Sequence, residues 1–215
     1  MAKRRKVANV LALAVLGTVV QRPMHPYEMA SMLRERGKDQ DIKIKWGSLY
    51  TVVGNLEKHG LIEAAETARQ GGRPERTVYR ITDAGRAELV DWVRELVSTP
   101  EREQPRFEAG LSMLGALAPD DAIDLLRRRL DVLEGQLAEQ RETLARHSAE
   151  LPRLFLIENE YDLALREAEA AWVRAVLGEL TDGTFPGLAQ WREYHETGRL
   201  PPEFAEIAER GSTRD

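Results

Sequence analysis

The chain is predicted to be mainly α-helical with a small β component: a winged helix-turn-helix with a two-stranded wing, followed by an antiparallel long-helix domain suited to dimerisation. Three observations predict this. Gly47-Ser48-Leu49-Tyr50 opens a segment in which Leu49, Val52, Val53 and Leu56 share one helical face, leaving Ser48, Tyr50, Thr51, Asn55 and Lys58 to face outward. Leu61-Ile62-Glu63-Ala64 and Thr77 to Thr82 then read as short strands flanking a Gly- and Arg-rich loop that carries Arg69, Arg73 and Arg76. From Asp120 onward, Ile123, Leu126, Leu130, Leu133, Leu137 and Leu144 form a heptad seam broken only at Gln140.

Along the chain, Val7 to Gln21 reads as the first helix. Its basic prefix Lys3-Arg4-Arg5-Lys6 resembles the start of a secretory signal, but the apolar run is too short to span a bilayer and no small-residue cleavage site follows cleanly. It is therefore taken as a core helix of a cytoplasmic protein with no membrane partner. Pro26 suits the first turn of a second helix ending near Arg36, with Gly37 as its stop and Met29, Met32 and Leu33 inward. Gly60 signals the end of the outward-facing helix. Thr82-Asp83 caps another helix to about Val97, with Leu89, Trp92, Val93 and Leu96 expected on one buried face. The polar, proline-bracketed run Ser98 to Pro105 marks a boundary. The expected organisation is a DNA-binding domain over 1–98, a helical dimerisation domain over 106–180, and an extension over 181–215.

Charge supports the division. Residues 1–97 carry 17 Lys+Arg against 12 Asp+Glu, a net of +5, whereas residues 98–215 carry 14 against 24, a net of −10. Phosphate contacts dominate nucleic-acid affinity, so only the first half is expected to touch DNA. A helix that fits a major groove beside an arginine-bearing loop is a winged arrangement for double-stranded DNA.

These residues resemble the PadR family of transcriptional regulators. Its Gly-Ser-Leu-Tyr start, Leu-Glu-x-x-Gly-Leu-Ile helix exit, Gly-Arg wing and Tyr-x-x-Thr-x-x-Gly second strand match Gly47 to Tyr50, Leu56 to Ile62, Gly72-Arg73 and Tyr79 to Gly85. His25-Pro26-Tyr27-Glu28 is similar to the family's preceding helix start, with Pro26 where Gly is usual. Lys45-Trp46 replaces a frequent Ser-Pro start, and Gly54-Asn55 replaces a basic pair. The resemblance covers residues 8 to 97 well and 100 to 180 by helical pattern only. It implies a sequence-specific DNA-binding regulator, a ligand-responsive repressor responding to small aromatic or hydrophobic effectors. The contrasting reading is a winged-helix interaction module that has lost DNA affinity, as the missing basic pair hints.

Residues expected to contact DNA are Ser48, Tyr50, Thr51, Asn55, Lys58, Arg69, Arg73 and Arg76. The seam residues Ile123, Leu126, Leu130, Leu133, Leu137 and Leu144, with Tyr161 and Trp172 from a second helix running from Pro152 to about Leu180, are assigned to a homodimer interface. A dimer doubles the footprint and calls for a palindromic operator; an intramolecular hairpin is the alternative. Trp46, Trp92 and Trp172 are expected at inward phases, either as ordinary core or as an effector pocket. Phe185, Trp191, Tyr194 and Phe204 in the extension should dock on the helical domain, with Gly211 to Asp215 disordered.

No enzyme is expected. The chain lacks a Gly-x-Ser-x-Gly elbow, a phosphate-binding Gly-x-x-x-x-Gly-Lys-Ser/Thr loop and a His-Glu-x-x-His helix. His25, His59, His147 and His195 are scattered, cysteine is absent, and neither metal nor cofactor is called for. Glu158, Glu160 and Asp162 read as a solvated acidic face.

Overall fold

The computed structural model describes residues 9–35, 46–68, 76–101 and 105–199, and the chain divides into two compact units, residues 1–102 and 103–215. Among the described residues no helix is long and apolar enough to cross a membrane.

The first unit contains α1 (Val10–Val19), α2 (Pro26–Glu35), α3 (Trp46–Lys58), the strands β1 (Ile62–Ala68) and β2 (Arg76–Ile81), and α4 (Asp83–Ser98). α1 is apolar on nearly every side, as befits a helix with neighbours all round. It packs on α2, α3, α4 and β2, with Ala12, Val15 and Leu16 buried, and the buried Thr18 hydroxyl donates to the Val15 carbonyl at 2.7 Å. Asn9 caps it by accepting from the Leu11 N–H at 2.8 Å. Met29 and Leu33 of α2 complete this core from below α3.

β1 and β2 pair antiparallel, Ile62 opposite Ile81 and Ala68 opposite Arg76, with a slip between Ala64 and Glu66. The first strand is longer than the apolar pattern predicts, because Ala64-Ala65-Glu66-Thr67 has no alternation to signal it and the slip resets the register. Met24 and Tyr79 exchange backbone hydrogen bonds at 3.0 and 3.1 Å, tying the turn before α2 to the wing.

α4 differs from expectation. Gly85 and Trp92 are buried and Leu89 is partly so, but Val93 and Leu96 are exposed together with Val90 and Val97. Val90, Val93 and Val97 form a second apolar stripe beside that of Leu89 and Trp92, and spacing alone cannot say which turns inward; the stripe holding Trp92 does, while Leu96 shares its phase but is exposed in the last turn of the helix.

The second unit contains α5 (Arg106–Leu111), a 3-10 turn (Leu114–Ala116), α6 (Pro119–Ser148), a 3-10 turn (Arg153–Phe155), α7 (Ile157–Asp182) and α8 (Leu188–Thr197). α6 spans 30 residues, about 45 Å at 1.5 Å per residue. Pro119 occupies its first turn with Asp120 and Asp121, and Arg146 and His147 its last, so charge follows the helix dipole at both ends. α6 and α7 form an antiparallel hairpin. Arg129 Nε donates to Glu169 at 2.7 Å near one end of the contact, and Gln140 Nε2 to Asp162 at 2.8 Å near the other.

The heptad seam is filled within a single chain. Ile123, Leu126, Leu130, Leu133 and Leu137 are buried with Ala170, Val173 and Leu180 of α7 and with Leu188 and Trp191 of α8. Their assignment to a surface between chains is therefore corrected; Leu144, half-buried near the end of α6, is not part of this core. Periodicity identifies a buried stripe, not the owner of the helix that covers it. Gln140, the break in the seam, is satisfied by Asp162, which also accepts from Arg166 at 2.9 Å. Glu160 pairs with Arg153, so Glu160 and Asp162 of the acidic run 158–162 are engaged in structure rather than forming only a solvated face.

The helical core continues past Leu180. Gly183 and Gly187 adopt left-handed φ of 76° and 82°, reversing the chain so that α8 returns onto the start of α6. Trp191 is buried there and its indole donates to the Leu117 carbonyl at 2.9 Å. Phe185 lies 6.3 Å from the Trp191 ring. Phe204 and Gly211 to Asp215 lie outside the described residues.

Candidate nucleic-acid interface

α3 presents two unlike faces. Leu49, Val52, Val53 and Leu56 are all buried, and every position between them is exposed: Gly47, Ser48, Tyr50, Thr51, Gly54, Asn55, Glu57 and Lys58. Burying that apolar stripe on α1 fixes the roll of the helix, and the roll decides which side chains face solvent. Ser48, Tyr50, Thr51, Asn55 and Lys58 thus stand together on one rigid surface. Thr51 turns its hydroxyl back along the helix, donating to the Gly47 carbonyl at 2.8 Å.

The exit of α3 is locked. Gly60 takes a left-handed φ of 68°, its N–H bonds to the Glu57 carbonyl at 2.8 Å, and the Leu61 N–H reaches the Leu56 carbonyl at 2.9 Å. This pair of bonds satisfies carbonyls that a helix end leaves open. Thr82 then donates its hydroxyl proton to the Gly60 carbonyl at 2.6 Å and accepts from the Gly85 N–H at 3.0 Å, capping α4. One threonine joins the end of α3, the end of β2 and the start of α4.

The wing is anchored to α3 as well. Tyr79 on β2 donates to Glu57 at 3.5 Å, a long contact. Burial and the Glu57 carboxylate both hold the Tyr79 hydroxyl above its ordinary pKa. Arg80 is paired with Glu63 across the sheet at 2.8 Å, which ties that arginine to the wing itself. Glu57 was missed by sequence reasoning. The sign that could have found it is its place two residues beyond Asn55 on the exposed face, beside the strand that carries Tyr79.

Of the arginines expected to reach DNA, Arg69 and Arg73 lie outside the described residues. Arg76 opens β2, and its side chain is likewise outside them. Among the described residues no group of histidine and carboxylate side chains gathers as a metal site would.

The tryptophans do not share an inward phase. Trp92 is 5% exposed within the winged core, so its ring is core packing, whereas Trp172 is 46% exposed in the other unit. The side chain of Trp46 lies outside the described residues. Trp172 meets Phe107 of α5 edge-on at 6.1 Å, and the Arg129 guanidinium sits 3.6 Å over the Phe107 ring.

Residues 15–91 match the model of the Transcriptional regulator PadR-like family. The negative transcriptional regulator PadR of Bacillus subtilis is 27% identical over 131 residues, 61% of this chain and 71% of that protein. A probable transcriptional regulator of Mycobacterium tuberculosis is 33% identical over 89 residues, 40% of this chain and 44% of that protein. The crystal structure of Bacillus subtilis PadR in complex with operator DNA superimposes with a TM-score of 0.67 at 22% identity, covering 80% of this chain and 99% of that one. The Vibrio cholerae virulence activator AphA gives 0.60 at 20% identity, over 80% and 98%. At such identities these structures establish the fold, a mostly helical chain with a two-stranded wing. The matched stretch takes in all of α3 and the wing, the part of the molecule where helix roll, helix exit and strand register are fixed together. It is that winged half, residues 15–91, that carries the chain's similarity to the PadR-like family of transcriptional regulators.

Proposed function

We propose that the protein is a sequence-specific DNA-binding transcriptional repressor that acts as a homodimer on a palindromic operator. The observation that carries this reading is α3: a helix whose apolar face is wholly spent on the core and whose opposite face offers Ser48, Tyr50, Thr51, Asn55 and Lys58. Arg69, Arg73 and Arg76 of the wing supply phosphate contacts. In support, the Bacillus subtilis relative is a negative regulator, and its structure has been solved with operator DNA. The interaction-only alternative is set aside on the same grounds.

The dimer forms through residues 106–180, by surfaces the hairpin leaves uncovered. Leu125 and Val132 lie seven residues apart on α6, and Tyr161, Leu165 and Trp172 lie four and seven apart on α7; all five are exposed. Apolar residues repeated at helical spacing on a solvent face are suited to a second helical layer. Tyr161 and Trp172 keep the interface role that the seam leucines lose.

A small aromatic effector is part of the proposal. The Bacillus subtilis relative has been solved in complex with p-coumaric acid. In this chain the exposed Trp172 ring is an aromatic surface suited to stacking a flat ligand. The protein works in the cytoplasm, where its operator is.

The deciding experiment is selection of duplexes from a random pool by the full-length protein, followed by footprinting. Enrichment of an inverted repeat protected on one DNA face is the expected result. A pool that stays unenriched, with binding no stronger than to any other duplex, overturns the proposal.

A further inference from the structure

We propose that Thr51 reads the C5-methyl group of a thymine, and that Gly54 leaves room for the base edge to reach it. The inference rests on the reading of α3 as the recognition helix and adds the chemistry of one base position. Thr51 is exposed, and its single hydroxyl proton is committed to the Gly47 carbonyl at 2.8 Å. A threonine so bonded has no donor left for the acceptors that guanine presents in the major groove. With the oxygen turned back along the helix, the other branch at Cβ, the γ-methyl, is the free outward part of the side chain. An apolar methyl on a groove-facing helix matches one base-edge group, the methyl of thymine.

Gly54 supplies the second, separate observation. It lies in the middle of α3, exposed, and a Cβ built there meets nothing within 4 Å. The fold gives no steric reason for glycine, which is a poor helix former. Side chains on a helix lie over the turn that precedes them, so a side chain at position 54 would cover the patch around Thr51, one turn earlier. Its absence keeps the threonine methyl uncovered, with Asn55 as a polar neighbour on the same patch to fix register. Asn55 suits adenine, which offers the paired acceptor and donor that a carboxamide matches.

The test uses the intact protein and the duplex recovered by selection, with each thymine replaced singly by deoxyuridine. This removes one methyl and leaves every hydrogen-bonding group in place. At the position read by Thr51, affinity should fall roughly fourfold, the equivalent of about 0.8 kcal/mol for one buried methyl. Thr51→Ser keeps the hydroxyl and its bond to Gly47, and should abolish the difference between thymine and deoxyuridine. Thr51→Val keeps a methyl and should retain it. Gly54→Leu should weaken binding to the thymine duplex and flatten the same difference. A scan with no sensitive thymine, or a Thr51→Ser variant that retains the full penalty, overturns this inference while leaving DNA binding intact. Failure of any duplex to be enriched overturns the DNA-binding reading and this inference with it.

Discussion

A Cβ placed on Gly85 would overlap the carbonyl oxygen of Leu61, so the first turn of α4 lies directly on the strand of chain that leaves α3. The backbone of one helix is thereby pressed against the exit of another, with the Thr82 hydroxyl bridging the two.

Gly85→Ala is therefore expected to destabilise the protein by about 1–3 kcal/mol, because backbone rather than a flexible side chain must give way. Gly54→Ala is its control. Position 54 opens onto space, so alanine there should raise stability by about 0.5–1 kcal/mol through helix propensity. Denaturant unfolding of both variants checks the pair, and equal destabilisation by the two would contradict the geometry.

The winged half was legible in the sequence because its signals are local. Leu49, Val52, Val53 and Leu56 declare the buried face of α3, Gly60 its end, and Thr82 the cap of α4, each within a few residues of the structure it dictates. What escaped was non-local. The α6 seam is visible as periodicity, but that Leu130 meets α7 of its own chain depends on the turn after Ser148, and Gln140 makes sense only once Asp162 is opposite. On α4, two adjacent stripes compete and only packing chooses Trp92 over Val93. Glu57 gains its role from Tyr79, 22 residues away.

The phosphate contacts proposed for the wing should carry a salt signature. Replacing Arg69 and Arg73 by alanine should lower affinity for all duplexes alike and reduce the log-log salt slope by about 0.9 for each phosphate lost. Asn55→Ala should instead relax discrimination at one base pair, by about 1–3 kcal/mol. Titrations at several salt concentrations separate the two effects, and an unchanged slope in the double arginine variant would remove the wing from the interface.

The two apolar surfaces of the helical unit should respond differently to substitution. Leu130→Ala opens a cavity inside the hairpin and should cost about 2–5 kcal/mol in stability. Leu165→Asp lies on the uncovered face and should leave the helical content unchanged while sedimentation shifts to the monomer. A Leu165→Asp protein that still sediments as a dimer places the interface elsewhere.

Alkaline pH should loosen the wing. The Tyr79 hydroxyl is held above its ordinary value of 10.0 by burial first and the Glu57 carboxylate second, so the folded state favours the neutral phenol. The contribution is complete below pH 10 and declines as pH rises from there through the folded-state pKa. Tyr79→Phe removes the ionisation. Its unfolding free energy should fall less between pH 9 and 11 than that of the unmodified chain, and parallel declines would show that Tyr79 is not the titrating group.

The return of α8 is secured by one buried hydrogen bond. Trp191 donates to the Leu117 carbonyl at 2.9 Å while its ring packs in the core, and His195 reaches the Gly115 carbonyl at 3.0 Å from a more exposed position. Leu117 belongs to the short segment between the 3-10 turn and α6, where helix geometry provides no partner for its carbonyl. Trp191→Phe keeps most of the apolar surface and strands that oxygen, which should cost about 1–3 kcal/mol. Trp191→Ala removes the ring too and should cost about 3–5 kcal/mol. His195→Ala gives up a half-exposed contact and should change stability by no more than about 1 kcal/mol. Thermal melts of the three variants test the ranking, and a Trp191→Phe protein as stable as the unmodified chain would mean that the ring alone holds α8 in place.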